Sequence, residues 1–496
     1  MPTAQPPTKR MVLAIDQGTT NSKAALVTAN GQVVSVGAAP VGVTSPQPGW
    51  VEQDALRIWS SVLEAVESCL QSADHAQVVG IALSTQRESV VGWLASSGEP
   101  LGPVIGWQDR RTAPWCAEVF DDPARATVHR RTGLRVDAMF SAPKFRWLLD
   151  HLPVGVPIDD VRIGTVDSWL IWQLTGGSEH VCEAGNASRT LLYDVRGLGW
   201  SSELLDLFGI PAGVLPAPLA SDAALGRTAG LATIPDGTPI VAVLADSHAA
   251  LYGQGCTGPG MAKATYGTGS SVMTPVAQLP IGASPVPTTL AWLIGRTPTY
   301  ALEGNILSSG ATLAWAAELL TGGDVSDLLQ LAGTVSDSDG VTLIPAFSGL
   351  GAPHWDRDAQ ALVSGITTGT GRAHLARAAV DSIGHQICDI VEVIEEGSGP
   401  LETFRADGGA TASDLVMQTQ ADLLDRTVEV ADMAEVSALG AAKLGWQSLG
   451  QGQDWPSHAG ARSYSGRLTT ADRTSRRDHW GSEIARARFT PPAPTP

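Results

Sequence analysis

A segment containing Asp, Gly, Thr and Lys follows the first apolar run of the chain. Residues 11–15 are predicted to form a buried strand, and residues 16–23 read Asp-Gln-Gly-Thr-Thr-Asn-Ser-Lys. Gly18 lets the backbone approach phosphate oxygens, Lys23 adds positive charge, and Asp16 can hold Mg²⁺ directly or through water. The hydroxyl donors of this segment are Thr19 and Thr20. The segment predicts a phosphate-binding loop, and it also fits an ordinary polar hairpin turn with a capping Asp.

Three charged residues at the ends of predicted strands could bind and activate a hydroxyl group. Arg87 and Glu88 follow one strand, and Asp246 ends the apolar run 239–245. The Arg can donate in a fork to vicinal hydroxyls that the Glu also contacts, and the Asp can accept the hydroxyl proton as a general base. The alternatives are a surface ion pair for the first two and a helix N-cap for Asp246. We expect His248 to make a satisfied packing or polar contact rather than to act as the base.

Two glycine turns complete the chemical signals. Residues 266–269 read Tyr-Gly-Thr-Gly and residues 407–410 read Asp-Gly-Gly-Ala. Each fits a loop around a nucleotide phosphate or ribose, and each also fits an ordinary turn. The chain has no G-x-x-x-x-G-K-[ST] loop. A phosphate cradle, a metal ligand and a base in one chain together favour phosphoryl transfer.

The composition is that of a globular protein with more than one domain. The chain has 496 residues, of which 43% are apolar and 17% are charged. Its formal charge of −18 disfavours nucleic acid and anionic membrane surfaces as partners. The five cysteines lack metal or redox spacing, and no run approaches the ~20 apolar residues that span a bilayer. We therefore expect a cytoplasmic protein with reduced thiols.

Alternating strands and helices must position these residues. A helix with apolar spacing is predicted over residues 54–70, capped by Asp54. Near Gly260 the opening pattern of strand, glycine turn and strand begins again, which hints at a duplicated architecture. The segment after about residue 452 is rich in Ser, Gly, Arg and Pro, so we expect it to be loosely packed and partly flexible.

Several longer motifs resemble the FGGY carbohydrate kinases, and among them the glycerol kinases most closely. The likeness runs from about residue 12 to about residue 446, and both family signatures are present, at residues 139–151 and 361–381. The other matching motifs lie at residues 14–20, 48–54, 86–88, 164–170, 186–190 and 345–353. A match of this extent predicts membership of the family.

The resemblance implies an α/β fold of two actin/hexokinase-like, ribonuclease-H-fold domains with a catalytic cleft between them. The implied domains are residues 11–253, for the acceptor and the phosphate loop, and residues 254–452, for the nucleotide, followed by a tail at 453–496. ATP and Mg²⁺ are the implied cofactors, a small polyol or sugar is the implied partner, and a homodimer or homotetramer is possible. Hinge closure on binding would exclude water.

The resemblance also assigns site residues by matching position. The implied nucleotide contacts are Thr19, Thr20, Asn21, Lys23, Thr268, Gly310, Gly409, Ala410 and Asp414. The implied acceptor contacts are Arg87, Glu88, Met139, Asp246, Ser247 and Ser271. Asp246 would be the base, and Asp16 would hold the metal.

The acceptor pocket departs from the glycerol kinase pattern. Glycerol kinases carry a Tyr where this chain has Met139, a Gln where it has Ser247 and a Phe where it has Ser271. The pocket should therefore be roomier, which predicts a four- or five-carbon polyol or ketose as the acceptor, with glycerol as the alternative. Lys23 replaces an Arg, which keeps the charge and loses the planar fork. A non-transferring ATPase and a sugar-binding regulatory relative are the further alternatives.

Overall fold

Two mixed β-sheets, one in each half of the chain, form the framework of the protein. The computed structural model describes residues 9–72, 76–280, 285–430, 435–452, 455 and 462–488. Within those ranges, no helix is both long enough and apolar enough to span a membrane.

The first half supplies a five-stranded sheet, a smaller four-stranded sheet and the helices that cover them. In chain order its strands are β1 (Lys9–Gln17), β2 (Asn21–Val27), β3 (Val33–Pro40), β4 (Glu52–Gln53), β5 (Ala76–Thr85), β6 (Val90–Leu94), β7 (Val104–Ile105), β8 (Val161–Thr165), β9 (Val181–Glu183), β10 (Tyr193–Asp194), β11 (Gly199–Trp200), β12 (Ala217–Leu219) and β13 (Ile240–Ala245). Its helices are α1 (Ala55–Gln71), α2 (Ala113–Val119), α3 (Asp122–Thr132), α4 (Ser141–Asp150), α5 (Val166–Leu174), α6 (Ala184–Ser188), α7 (Ser202–Phe208) and α8 (Asp246–Gly253).

The second half supplies a seven-stranded sheet and further helices. Its strands are β14 (Met261–Tyr266), β15 (Ser270–Val276), β16 (Thr288–Ile294), β17 (Thr297–Ile306), β18 (Thr342–Ile344), β19 (Leu362–Ser364), β20 (Thr403–Asp407), β21 (Val428–Val430) and β22 (Arg462–Tyr464). Its helices are α9 (Gly310–Thr321), α10 (Val325–Ala332), α11 (Arg372–Ser398), α12 (Asp414–Leu424), α13 (Val436–Ser448) and α14 (Thr470–Ala487).

The strand β1 is the centre of the first sheet, whose order is β13-β5-β1-β2-β3. It pairs antiparallel with β2 and parallel with β5, which in turn pairs parallel with β13. Both faces of β1 are buried: Leu13 and Ile15 pack into one core cluster, and Val12 and Ala14 pack into another. Burial on two faces explains the continuous apolar run that predicted this strand.

The second sheet repeats the arrangement of the first. Its central strands have the order β17-β15-β14-β20-β21, in which β14 pairs antiparallel with β15 and parallel with β20. The glycine turn at 267–269 connects β14 to β15, as residues 18–20 connect β1 to β2. The duplicated architecture that the sequence suggested is therefore present in the fold.

The helix α1 covers the first sheet and begins where the sequence predicted. Asp54 caps it: its Oδ1 accepts hydrogen bonds from the backbone N–H groups of Leu56 at 2.8 Å and Arg57 at 3.1 Å. The apolar side of α1 joins the same core cluster as Leu13 and Ile15.

The helix α13 belongs to the second half by sequence and packs on the first sheet. Ala438, Ala441 and Leu444 share a core cluster with Val12 of β1. The indole Nε1 of Trp446 donates to the carbonyl of Val27 at 3.0 Å. The predicted second domain, 254–452, thus contains one helix that packs on the first sheet.

The helix α14 lies in the segment that we expected to be loosely packed, and for this helix the expectation is wrong. Trp480 is 2% exposed and stacks on His385 of α11, with ring centroids 4.9 Å apart. Arg477 Nη2 donates to Asp389 Oδ1 at 2.6 Å. These contacts hold a polar helix against the second half. Residues 453–454, 456–461 and 489–496 of the predicted tail lie outside the described residues.

Candidate active site

Asp246 lies beside Arg87 at one edge of the first sheet. The parallel strands β5 and β13 are neighbours, and Thr85 pairs with Ala245 in their register. Their carboxyl ends therefore meet at one edge, where open α/β sheets bind ligands. Arg87 Nε lies 3.5 Å from Asp246 Oδ1. The structure thus brings together the three charged residues that the sequence singled out, since Glu88 Oε1 is 3.9 Å from Arg87 Nε.

A closed ring of four charged residues lies beneath this edge. The four-charge ring consists of Arg87, Glu88, Arg189 and Glu303, whose side chains are between 0% and 10% exposed. Arg87 donates to Glu303 through Nη1 at 3.0 Å and Nη2 at 2.7 Å. Arg189 donates through Nε to Glu88 Oε1 at 2.7 Å, and its Nη1 lies 3.1 Å from Glu303 Oε2. This burial excludes the alternative of a surface ion pair for Arg87 and Glu88.

The fork of Arg87 is occupied by Glu303. The sequence predicted that this fork would clamp acceptor hydroxyls, whereas here both Nη atoms bind a carboxylate from the second sheet. Burial by itself would raise the pKa of Glu303, but Arg87 and Arg189 lower it well below its ordinary value. Glu303 is therefore held as an anion, and Nε is the part of Arg87 that faces Asp246.

Asp246 keeps an accessible carboxylate. Its side chain is 36% exposed, and its Oδ1 accepts a hydrogen bond from the Ser247 N–H at 2.6 Å. Burial raises the pKa of Asp246 while the neighbouring Arg87 lowers it, and the net shift is upward. An upward shift makes the carboxylate a stronger base. The alternative of a helix N-cap is wrong for Asp246, because α8 begins at Asp246 itself and Ala245 occupies the N-cap position.

His248 makes the packing contact that the sequence suggested, but no polar contact within the described part of the chain. Its side chain is fully buried, and neither ring nitrogen has a hydrogen-bond partner among the described residues. Burial and then the charge of Arg87 lower its pKa well below the ordinary value, so the imidazole is neutral.

A buried lysine fixes the backbone of two predicted acceptor contacts. Lys144 Nζ donates to the carbonyls of Met139 at 2.7 Å and Glu88 at 3.0 Å, and the latter carbonyl also accepts from Ser141 Oγ at 3.1 Å. Glu88 has a φ of 61°, a conformation that is unfavourable for a residue with a side chain. Burial lowers the pKa of Lys144 to about 7. Lys144 lies within the family signature at residues 139–151, but its sequence position alone does not reveal this role.

The two serines of the predicted acceptor pocket lie on opposite halves of the protein. Ser247 lines a cleft of about 320 Å³ together with Asp246 and Asp16. Ser271 pairs with Asn305 across β15 and β17, on the sheet face that also carries Glu303. Met139 is half-buried in a core cluster of the first half.

The turn between β1 and β2 presents the predicted phosphate contacts. The Gly18 N–H donates to the Asn21 carbonyl at 3.0 Å, which closes a tight turn with Thr20 and Asn21 exposed at its tip. Thr19 is fixed by Trp107, whose indole Nε1 donates to the hydroxyl at 3.0 Å, and by Gln53, which donates to the carbonyl at 2.7 Å. This order at the turn suits a backbone cradle for an anion.

Asp16 and Lys23 line the same cleft as Asp246. Asp16 Oδ1 accepts from Ser84 Oγ at 2.6 Å, and burial raises the pKa of Asp16 to about 6. No group of three or more His, Cys, Asp or Glu residues in the described part of the chain is arranged to hold a metal. Mg²⁺ needs only one or two protein carboxylates when phosphates and water supply the remaining oxygens, so the donor chemistry of Asp16 fits that ion.

A second cleft, of about 390 Å³, holds four predicted nucleotide contacts. Its lining residues include Thr268, Gly310, Gly409 and Ala410. A Cβ at Gly310 would lie 2.5 Å from the Gly267 carbonyl, so this position requires glycine. Gly408 lines the first cleft and Gly409 the second, which places the two clefts side by side.

Asp414 lies apart from the residues that line this second cleft. It is exposed, and its Oδ1 lies 3.1 Å from Arg462 Nη1 and accepts a hydrogen bond from Tyr464. The neighbouring Ser413 lines the cleft in its place.

The chain matches known proteins along almost its whole length. The N-terminal domain of the FGGY family of carbohydrate kinases matches residues 11–253, and the C-terminal domain matches residues 262–448. The chain is 43% identical to the apulose kinase of Pectobacterium atrosepticum, covering 97% of this chain and 99% of that protein. It is 42% identical to the glycerol kinase of Alkalilimnicola ehrlichii, over 96% of this chain and 98% of that protein. The crystal structure of Plasmodium falciparum glycerol kinase with ADP superposes on this chain with a TM-score of 0.90 at 27% identity. The superposition covers 97% of this chain and 99% of that protein.

Fold, site and relatives together define an ATP-dependent phosphotransferase that acts on a sugar or polyol. The chain belongs to the FGGY family of carbohydrate kinases. The family and the two-domain α/β fold that the sequence motifs predicted are confirmed.

Proposed function

We propose that the chain phosphorylates a hydroxyl of a four- or five-carbon polyol or ketose, with apulose as the first candidate. The observation that carries this proposal is that Met139, Ser247 and Ser271 are each smaller than the Tyr, Gln and Phe that glycerol kinases carry at the predicted acceptor pocket. Side chains of this size leave room for a larger acceptor, and two hydroxyls can bind its additional oxygens. A glycerol-sized acceptor would lose close contacts, at ~1–3 kcal/mol for each missing group. The similarity to an apulose kinase supports the same choice.

The reaction is a direct transfer in which Asp246 serves as the base. The acceptor hydroxyl gives its proton to the carboxylate of Asp246, its oxygen forms a bond to the γ-phosphorus of ATP, and the bond from that phosphorus to the ADP oxygen breaks. Lys23, Thr19 and the turn around Gly18 would hold the phosphates. Asp16 would hold Mg²⁺, which neutralises phosphate charge. The base assignment is supported by the exposed carboxylate at the strand edge.

Glycerol is the second candidate acceptor. The 42% identical relative from Alkalilimnicola ehrlichii is a glycerol kinase, and this chain has the Arg87, Glu88 and Asp246 that the resemblance assigns to acceptor binding. Neighbouring side chains could refill the space beside the two serines.

A panel of acceptors separates the two candidates. ADP release with ATP and Mg²⁺ is measured against glycerol, erythritol, threitol, pentitols, pentuloses and apulose, with a reaction lacking any acceptor as the blank. We expect the highest kcat/KM for a four- or five-carbon acceptor. A preference for glycerol would overturn the enlarged-pocket argument, and acceptor-independent ADP release at the full rate would contradict the transfer itself.

Refilling the pocket provides a matched test. In the double variant Met139→Tyr/Ser271→Phe we expect kcat/KM for the preferred acceptor to fall and that for glycerol to rise relative to it, by tenfold or more. Ser482→Phe, an exposed serine of α14, is the control and should leave the ratio unchanged. An unchanged ratio in the double variant would show that these residues do not set acceptor size.

A further inference from the structure

Glu303 is the one member of the four-charge ring that comes from the second half of the chain. It lies in β17 and is fully buried, and both of its oxygens are used. Oε1 accepts a hydrogen bond from Arg87 Nη2 at 2.7 Å, and Oε2 accepts one from Arg87 Nη1 at 3.0 Å. Arg189 Nη1 lies 3.1 Å from Oε2. The ring therefore links the two halves of the chain next to the sheet edge that carries Asp246.

Glu303 and Asp246 compete for the same guanidinium. Arg87 Nε is already 3.5 Å from Asp246 Oδ1, so a small movement would bring its fork onto that carboxylate. If the Arg87 fork were bound to Asp246, two N–H groups would donate to the carboxylate oxygens that must receive the proton of the acceptor hydroxyl. These hydrogen bonds would stabilise the ionised form of Asp246. The base would then be weaker and sterically blocked.

We propose that Glu303 is a positioning residue that keeps the fork of Arg87 away from Asp246. By holding both Nη atoms, it leaves Asp246 with an accessible carboxylate while Arg87 remains close enough to contact an acceptor. Removal of the Glu303 charge would leave Arg87 and Arg189 with Glu88 as the remaining carboxylate of the ring. Asp246 would become the nearest unpaired anion for Arg87.

Arg189 is the second arginine beside Glu303. Its Nε is bound to Glu88 at 2.7 Å, and its guanidinium lies 5.2 Å from the centre of the Phe140 ring. Arg189 Nη1 lies 3.1 Å from Glu303 Oε2 without a hydrogen bond, so Arg189 adds positive charge beside Glu303, and the two hydrogen bonds that this carboxylate accepts among the described residues come from Arg87. The arrangement predicts a role that depends on the negative charge of Glu303.

The test compares Glu303→Gln, which removes the charge and keeps the shape, with Glu303→Asp, which keeps the charge. Each variant is assayed as the full chain with the acceptor that the wild type uses best, and the active fraction is set by the stoichiometry of ATP binding. We expect Glu303→Gln to lower kcat at least tenfold while KM for ATP changes less than about twofold. Glu303→Asp should retain most of the wild-type kcat. Glu395→Gln, which breaks the 2.7 Å ion pair with Arg426 in the same half, is the control and should leave kcat unchanged.

A double-mutant cycle with Arg87→Met distinguishes positioning from simple structural support. If Glu303 acts through Arg87, the double variant Glu303→Gln/Arg87→Met should have a kcat less than about threefold below that of Arg87→Met alone. A further loss equal to that of the single variant would overturn the proposal, as would a Glu303→Gln enzyme with wild-type kcat. If Glu303→Gln does not fold, the test rests on Glu303→Asp. A Glu303→Asp enzyme whose kcat is no higher than that of Arg87→Met would then overturn the proposal.

The inference rests on the proposed role of Asp246, and the experiments separate the two. Full turnover by Asp246→Asn would overturn the base assignment. An inactive Asp246→Asn enzyme beside a normal Glu303→Gln enzyme would overturn only the inference about Glu303.

Discussion

Lys23 and Glu435 form an ion pair of 2.8 Å between residues 412 positions apart in the chain. Lys23 lies in β2 of the first half, and Glu435 immediately precedes α13. Both line the cleft that contains Asp16 and Asp246. The lysine assigned to the nucleotide phosphates is thus paired with a carboxylate that a bound phosphate would have to displace.

Removing that competitor should strengthen ATP binding. We expect Glu435→Gln to lower KM for ATP by up to about fivefold, because partly exposed ion pairs contribute roughly 0.2–1 kcal/mol and 1.4 kcal/mol is tenfold. The assay is initial rate against ATP concentration at saturating acceptor. Glu429→Gln, which breaks the 3.2 Å pair with Arg405, is the control and should leave this KM unchanged. A higher KM in the Glu435 variant would contradict the placement of Lys23 at the phosphates.

Asp246→Asn should abolish turnover and preserve nucleotide binding. The amide cannot accept the acceptor proton, and general-base catalysis contributes about 10²–10⁴-fold to rate. We expect kcat to fall within this range while the Kd for ATP, measured by calorimetry, changes less than twofold. Asp206→Asn, an exposed residue of α7, serves as the control. Turnover above a tenth of the wild-type rate would refute the assignment.

Asp16 should reduce folding stability at neutral pH. Its pKa in the folded protein is about 6, raised mainly by burial from an ordinary value of 3.8. Between these values the native state binds a proton that the unfolded state has released, so stability falls as the pH rises through this window. The cost above pH 6 is at most about 3 kcal/mol.

Asp16→Asn removes that ionisation. We expect the variant to have a higher Tm than the wild type at pH 7.5 without added metal, and the gain to disappear near pH 4. Calorimetry across this pH range, with Asp206→Asn as the control, measures the difference. Equal Tm values at all pH values would show that the Asp16 pKa is not raised. Activity should be lost at every pH, because the variant has no carboxylate for the metal.

Trp480 should anchor α14 to the second half. Loss of a buried tryptophan costs about 3–5 kcal/mol, and Trp480→Ala also removes the 3.0 Å hydrogen bond from the indole to Asp389 Oδ2. Urea unfolding should show a lower midpoint, whereas for Ser482→Ala, at an exposed position on the same helix, the free energy of unfolding should change by less than about 0.5 kcal/mol. An unchanged midpoint for Trp480→Ala would indicate that α14 is detached in solution.

Much of the fold could be predicted because the relevant information is local. The apolar run at 239–245 predicted β13, and a carboxylate at its end predicted a side chain at the sheet edge. The adjacency of Asp246 to Arg87 then follows from two parallel strands that end together. The Asp54 cap of α1 is similarly readable from a few neighbouring residues.

The missed features depend on contacts between distant residues. Glu303 is the one charged residue of β17, which marks it as unusual, but its partner Arg87 is 216 positions away. The Ser- and Arg-rich composition of α14 concealed Trp480, whose burial depends on the surface of α11. Local composition carries no information about which surface a segment meets.

The path of α13 also has a consequence for synthesis on the ribosome. The face of β1 formed by Val12 and Ala14 is covered by a helix that ends at Ser448. As a chain emerges from its N-terminus, the first sheet must wait for nearly the whole polypeptide before that face is shielded from water. The nascent first half therefore keeps this apolar face uncovered until α13 has been synthesised, and exposed apolar surface of this kind favours aggregation before folding is complete.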